Sequence, residues 1–188
     1  MASLREVARE VERRSARKFA RGSVVLPLPL YESQYAARFG VLGAERLAEF
    51  ERIGESFTVE QNTEACADFI AEACRQILGR GTAGGKYEEL THDDGRPVLF
   101  DVDFAEALEL PAPPGKDKHE GLSDVVLSCW MSDDGEVITT ALNAFAVKLV
   151  GWMTDTARAV EGEIAGESLA TRRSETPAAP PSLASLPT

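Results

Sequence analysis

The chain has 188 residues, enough for one compact domain with a modest core or a domain with extensions, and too few for a second catalytic domain. Lys and Arg total 20 against 31 Asp and Glu, a net charge of -11, which argues against a protein that binds nucleic acid by neutralising phosphates. No window approaches the roughly 20 apolar residues of a membrane span, and the start, MASLREVARE, has no apolar signal core, so the expectation is a cytosolic protein.

In chain order, residues 1–22 run against the overall charge. Arg5, Arg9, Arg13, Arg14, Arg17, Lys18 and Arg21 outnumber Glu6, Glu10 and Glu12. Ser3 and Glu6 make a capping box, and Leu4, Val7 and Val11 follow at helical spacing, which predicts a charged N-terminal helix. SVVLPLPLYESQYAARFG reads as extended chain: Val24, Val25 and Leu26 precede prolines that bar a central strand, and Tyr35, Ala37 and Phe39 alternate with polar neighbours. A small, edge-rich sheet or hairpin is expected there. AERLAEFERI is helical, and Thr58 with Gln61 opens a longer helix carrying Cys66, Phe69, Ile70, Ala73, Ile77 and Leu78, predicted to end at Gly79.

GRGTAGGKYEELTHDDGRP is a loop or short hairpin arm. The glycines of its 79–86 stretch match neither a P-loop nor a dinucleotide fingerprint. The apolar run PVLF then leads into Asp101 and Asp103. After Pro111, Pro113 and Pro114, which forbid a continuing helix, Val125, Val126, Cys129 and Trp130 predict a short helix stopping near Asp133. A longer helix is predicted from Asp134–Glu136, with Ile138, Leu142, Phe145, Leu149 and Trp152 at steps of four, three, four and three, a coiled-coil-like seam. Past Ser168 the prolines and scarce large apolar residues predict a flexible tail, 169–188. The fold class expected is α+β, mainly helical: one domain over 23–168 with a small strand element near its start, its core drawn from Phe69, Ile70, Ile77, Leu142, Phe145, Leu149 and Trp152.

Asp101-x-Asp103 after an apolar run invites a catalytic reading, the aspartate loop of haloacid-dehalogenase-like phosphatases, in which one carboxylate attacks phosphorus and the next serves as acid and base beside magnesium. That pattern continues with Gly and Thr, whereas Phe104 and Ala105 follow here, and strands and helices do not alternate as a parallel sheet requires. The competing account makes Asp101 the N-cap of FAEALEL, with Asp103 in the first turn. Cys66, Cys74 and Cys129 form no CxxC pair and read as buried thiols. His92 and His119, in polar loops without a second ligand at metal spacing, read as surface residues. No catalytic residue, cofactor or metal is assigned.

A charged N-terminal helix, QYAARFGVLGAERLAEF, ACADFIAEACRQILGR, RPVLFDVDFAEALEL, and then DVVLSCWMSDDGEVITTALNAFAVKLVGWMTDTARAVEGEIAGES follow one another in an order and spacing that resembles the tail assembly chaperones of long-tailed, siphovirus-type actinobacteriophages, over roughly residues 1–168. The resemblance implies a non-catalytic protein of the host cell cytoplasm that coats the tape-measure protein before the tail tube polymerises. It implies further partners in a frameshifted longer form of the chain and in self-association, with no nucleic acid or membrane. Client contact is expected at Val24, Val25 and Leu26 and along Leu142, Phe145, Leu149 and Trp152. The alternatives are a virion structural protein, such as a minor tail or head–tail connector component, and the phosphatase using Asp101 and Asp103.

Overall fold

A computed structural model describes residues 22–53, 58–81 and 85–174. The expected N-terminal helix with its Ser3–Glu6 capping box and the end of the expected tail, 175–188, lie outside the described residues. The fold is α+β.

Four antiparallel strands form a meander in the order β1 (Ser23–Pro27), β2 (Tyr35–Gly40), β3 (Cys74–Gly79) and β4 (Glu88–Glu89). Leu26 pairs with Ala37 and Ala37 with Ile77, so the alternation of Tyr35, Ala37 and Phe39 sets one face of β2 toward the core. On the opposite face Arg38 donates to Gln76 Oε1 at 3.2 Å and to Glu89 Oε1 at 2.5 Å, a polar tie across three strands. The prolines keep β1 at the edge of the sheet among the described residues, as its sequence predicts.

β3 corrects the predicted long helix. α1 (Ala44–Ile53) is followed by α2 (Val59–Ala73), whose Thr58–Gln61 capping box forms as expected, but α2 stops at Ala73, and Cys74, at ψ 134°, turns the chain into a strand. Phe69, Ile70, Ala73 and Ile77 suit a helical stripe equally well; pairing with β2, more than 30 residues away in sequence, decides the outcome. The chain therefore has a sheet beside its aspartates, though an antiparallel one.

The next segment makes two hairpin turns of one design, at Leu90–Val98 and Trp130–Ile138. In each, an Asp-Asp-Gly loop closes with Gly at φ +82° (Gly95) or +84° (Gly135), the type I turn plus left-handed residue of a three-residue hairpin loop. After the first turn comes α3 (Val102–Ala107). It ends with Glu109 at φ +52° while Leu110 N–H bonds Ala105 O and Glu109 N–H bonds Glu106 O, a Schellman closure made without glycine. α4 (Leu122–Cys129) precedes the second turn and α5 (Thr139–Ser174) follows it. α5 thus starts after the Asp134–Glu136 predicted for it, because those residues form the turn. It also passes Ser168, six residues into the expected tail, and at 36 residues spans about 54 Å.

The core lies between the sheet and α2, α4 and α5. Phe69, Ile70, Ile77, Leu142 and Leu149 are fully buried, as predicted; Phe145 and Trp152 are half-buried against the same cluster. The inward stripe of α5 is Leu142, Ala146, Leu149 and Met153, and Ile138, assigned to the seam from its spacing, sits before the helix and is exposed. Phe145 contacts Phe39 and Trp130 edge-on, at 5.6 and 5.0 Å between ring centroids, linking sheet, second hairpin and helix. All three cysteines are buried and unpaired, and burial raises the Cys66 thiol to about 11 and Cys74 to about 12.

Candidate functional site

A cleft of about 720 Å³ lies between α2 and the segment that runs through the prolines into α4. Val59, Thr63, Glu64 and Asp68, spaced along one side of α2, form one wall. Pro113, Pro114, Lys116, Glu120 and the first turns of α4 form the other, and Glu136, Val137 and Thr139 of the second hairpin close one end. Thr63 Oγ donates to Val59 O at 2.8 Å, and Ser123 Oγ donates to Asp68 Oδ1 across the cleft.

The proline segment is pinned to α4 through Asp124 and Ser128. Asp124, 5 % exposed, accepts from Lys116 Nζ at 2.7 Å and from Glu120 N–H at 2.8 Å. Burial disfavours its charge, but the Lys116 ammonium and the Glu120 amide outweigh that and hold the carboxyl below its ordinary range. Ser128 Oγ lies within hydrogen-bond distance of Pro111 O, Asp124 O and His119 Nε2, at 2.7, 3.0 and 2.9 Å. His119 is thus a half-buried loop anchor, not the bare surface residue expected. Among the described residues Lys116 is the one basic residue lining the cleft and is already engaged, whereas Glu64, Glu120 and Glu136 are exposed on its rim. The site is acidic, with Val59, Leu127 and Val137 as its apolar surface.

A smaller concavity of about 460 Å³ lies at the first hairpin, beside Tyr35, Leu90, His92, Asp103, Phe104 and Leu108. His92 corrects the surface assignment: its ring is largely covered, Nε2 sits 2.9 Å from Asp101 Oδ2 and Nδ1 3.7 Å from Asp103 Oδ2. Asp101 is the N-cap predicted for it, with Oδ1 accepting from Phe104 N–H at 2.9 Å, and Asp103 stands exposed in the first turn. His92, Asp101 and Asp103 each offer a ligand atom within 4.8 Å of the others, the composition of a divalent-cation site. An ion would have to displace the His92–Asp101 hydrogen bond, which together with the cap accounts for the geometry by itself.

Compared with protein-family models, curated proteins and solved structures, the chain matches none. Its function must therefore be argued from its own residues. Among the described residues no helix is long and apolar enough to cross a membrane.

The residues expected to touch a partner divide into two groups. Leu142 and Leu149 are at 0 % exposure and serve the domain's own core, which withdraws them as contact residues; Phe145 is committed to Phe39 and Trp130, and Trp152 is half-buried. The cause is that a stripe at helical spacing looks the same whether its cover is internal or external. On β1, Leu26 is buried and Val24 half-buried, leaving Val25, 42 % exposed, as the open apolar position of the three. The cleft residues carried no sequence signal, because α2, the proline segment and the second hairpin meet only through tertiary packing.

Proposed function

We propose that this chain is a tail assembly chaperone of a long-tailed actinobacteriophage, which binds the tape-measure protein in the host cytoplasm and keeps it soluble until the tail tube forms. The observation that carries the reading is the order and spacing, over roughly residues 1–168, of the sequence segments that resemble this family. A wide acidic cleft with apolar patches supports it, since such a surface suits a segment of another protein chain. The aspartate pair supports a non-catalytic role: one carboxylate caps a helix, and the adjoining sheet is an antiparallel meander, not the parallel sheet of a phosphatase. A frameshifted longer form and further copies of the chain are the other partners of this reading.

Coexpression with the neighbouring tape-measure gene tests it. The soluble yield of the tape-measure protein should rise, and deletion of residues 175–188 should leave the rise intact. A tape-measure protein equally insoluble with and without this chain, alone or with its longer form, overturns the proposal. Mass spectrometry of purified particles separates the structural alternative: a chaperone is absent or scarce there, and a tail or connector component is stoichiometric.

A further inference from the structure

We infer that the cleft between α2 and the proline segment is the client-binding site, and that it takes a basic amphipathic segment of the partner chain. The inference rests on the binding role proposed above and adds where the contact lies and what chemistry it reads. Two independent features of the cleft point the same way.

The first is charge. Glu64, Glu120 and Glu136 stand exposed around the opening with Asp68 beside them, and the only cation in the lining among the described residues, Lys116, is held at 2.7 Å by Asp124. Lys116 also pairs with Glu120 at 3.9 Å, so a single ammonium is shared among the five lining carboxylates Glu64, Asp68, Glu120, Asp124 and Glu136 and leaves the cleft net negative. An occupant bearing lysines or arginines relieves this like-charge crowding, whereas an acidic segment meets repulsion from every wall. The net charge of -11 draws a basic partner from a distance as well.

The second is the placement of exposed apolar groups. Val59, in the first turn of α2, lines the cleft at 62 % exposure; Leu122 at 40 % and Ile138 at 44 % are chain neighbours of the lining residues Gly121, Ser123, Val137 and Thr139. With the half-buried Leu127 and Val137 they border acidic groups over a short distance. Interleaved carboxylates and apolar side chains match a segment whose own cations and apolar residues share one face, the pattern of an amphipathic helix laid in a groove.

The test uses the full chain and, as probe, an 18-residue Leu/Lys amphipathic peptide, with its Leu/Glu counterpart as control. The Leu/Lys peptide should bind and the Leu/Glu peptide should not. The triple variant Glu64→Lys, Glu120→Lys, Glu136→Lys should weaken binding by about tenfold or more, with an unchanged melting temperature because all three side chains are exposed. The same charge change placed elsewhere, at Glu51→Lys, Glu88→Lys and Glu106→Lys, should alter affinity less than about twofold. Val59→Ser should weaken binding further and do so even at high salt. Equal losses from the two triple variants mean unspecific attraction and overturn the assignment. In coexpression the cleft variant should fail to keep the tape-measure protein soluble. Full rescue by that variant overturns the cleft while leaving the chaperone reading in place; no rescue by the wild type removes the chaperone reading, and the peptide results then decide the cleft alone.

Discussion

Leu90–Val98 and Trp130–Ile138 trace the same turn, with Asp-Asp-Gly at the tip, a bridge between Thr91 and Pro97 or between Met131 and Val137, and the chain entering a helix soon afterwards. Their surroundings differ. The first hairpin is sewn to the sheet, Ile77 N–H donating to Val98 O at 2.7 Å and Leu90 N–H to Ile77 O at 3.2 Å. The second has no such tie to the sheet among the described residues: its backbone bonds close the turn itself or join the flanking helices, Trp130 N–H donating to Leu127 O at 3.0 Å and Leu142 N–H to Ile138 O at 3.1 Å, and the buried Trp130 side chain fixes it in the core. In the first, His92 reaches forward to the N-cap of α3; at the matching position Ser132 turns inward to Glu136 O. One local recipe is thus anchored by backbone hydrogen bonds in one place and by an aromatic side chain in the other, and the two anchors should fail differently.

The largest effect is expected at Trp130. It is 3 % exposed and meets Phe145 edge-on, so Trp130→Ala should cost about 3–5 kcal/mol, while Leu90→Ala, at the half-buried equivalent position, should cost under about half of that. Urea unfolding followed by circular dichroism measures both. Equal losses would show that both hairpins depend on side-chain packing to the same degree.

Gly95→Ala and Gly135→Ala come next. Each forces an L side chain into left-handed backbone, at about 1–2 kcal/mol, although neither added methyl meets any atom within 4 Å. The turn sewn to the sheet transmits the strain to β3, so Gly95→Ala should also raise hydrogen exchange at Ile77 and Leu90, an effect with no counterpart at residue 135. Matching exchange patterns for the two variants would dissolve the distinction between backbone and side-chain anchoring.

The first turn was readable as a loop or short hairpin arm, as were the Thr58–Gln61 capping box and the Asp101 cap, whose partners lie three residues away; the second was not, since its Asp134–Glu136 reads as the start of the long helix although Asp-Asp-Gly recurs there. What was hidden depends on distant partners. Ile77 and Leu78 continue the α2 stripe in sequence and become a strand only because β2 lies alongside. His92 meets Asp101 because a turn and the path of residues 96–100 fold it back. Leu142 and Leu149 announced an apolar face without saying what covers it, and the cleft draws its walls from segments some seventy residues apart.

Asp101 sharpens the comparison at the exit of the first hairpin, because α5 follows the second with no such capping aspartate. Asp101→Ala removes the acceptor of Phe104 N–H and should cost about 1 kcal/mol, whereas Asp101→Asn, an equally good cap, should cost only a few tenths, and Asp103→Asn, at an exposed position, about nothing. Calorimetric titration of magnesium, zinc and calcium into the wild type belongs with this series. Micromolar affinity lost in Asp101→Asn would turn the His92 corner from a helix latch into a cation site.

The smallest effect concerns α4, which enters the second hairpin and starts from Gly121 with no side-chain cap. Its nearest substitute is Asp124, reaching back to Glu120 N–H and held ionised by Lys116. Because the folded-state carboxyl titrates below its unfolded value, its contribution is present above the unfolded pKa, near 4, and is lost as pH falls through the folded one. Lys116→Met removes the cation and leaves burial pulling the other way, so the folded pKa rises. The stability given by Asp124 at neutral pH shrinks, and the acid unfolding midpoint moves upward. The pair faces solvent on the lysine side, so the shift should be small and should fade at high salt. An acid midpoint identical in wild type and Lys116→Met at low salt would mean that the Glu120 amide alone fixes Asp124, and that α4, like α3, is begun by a carboxylate on backbone N–H with no help from charge.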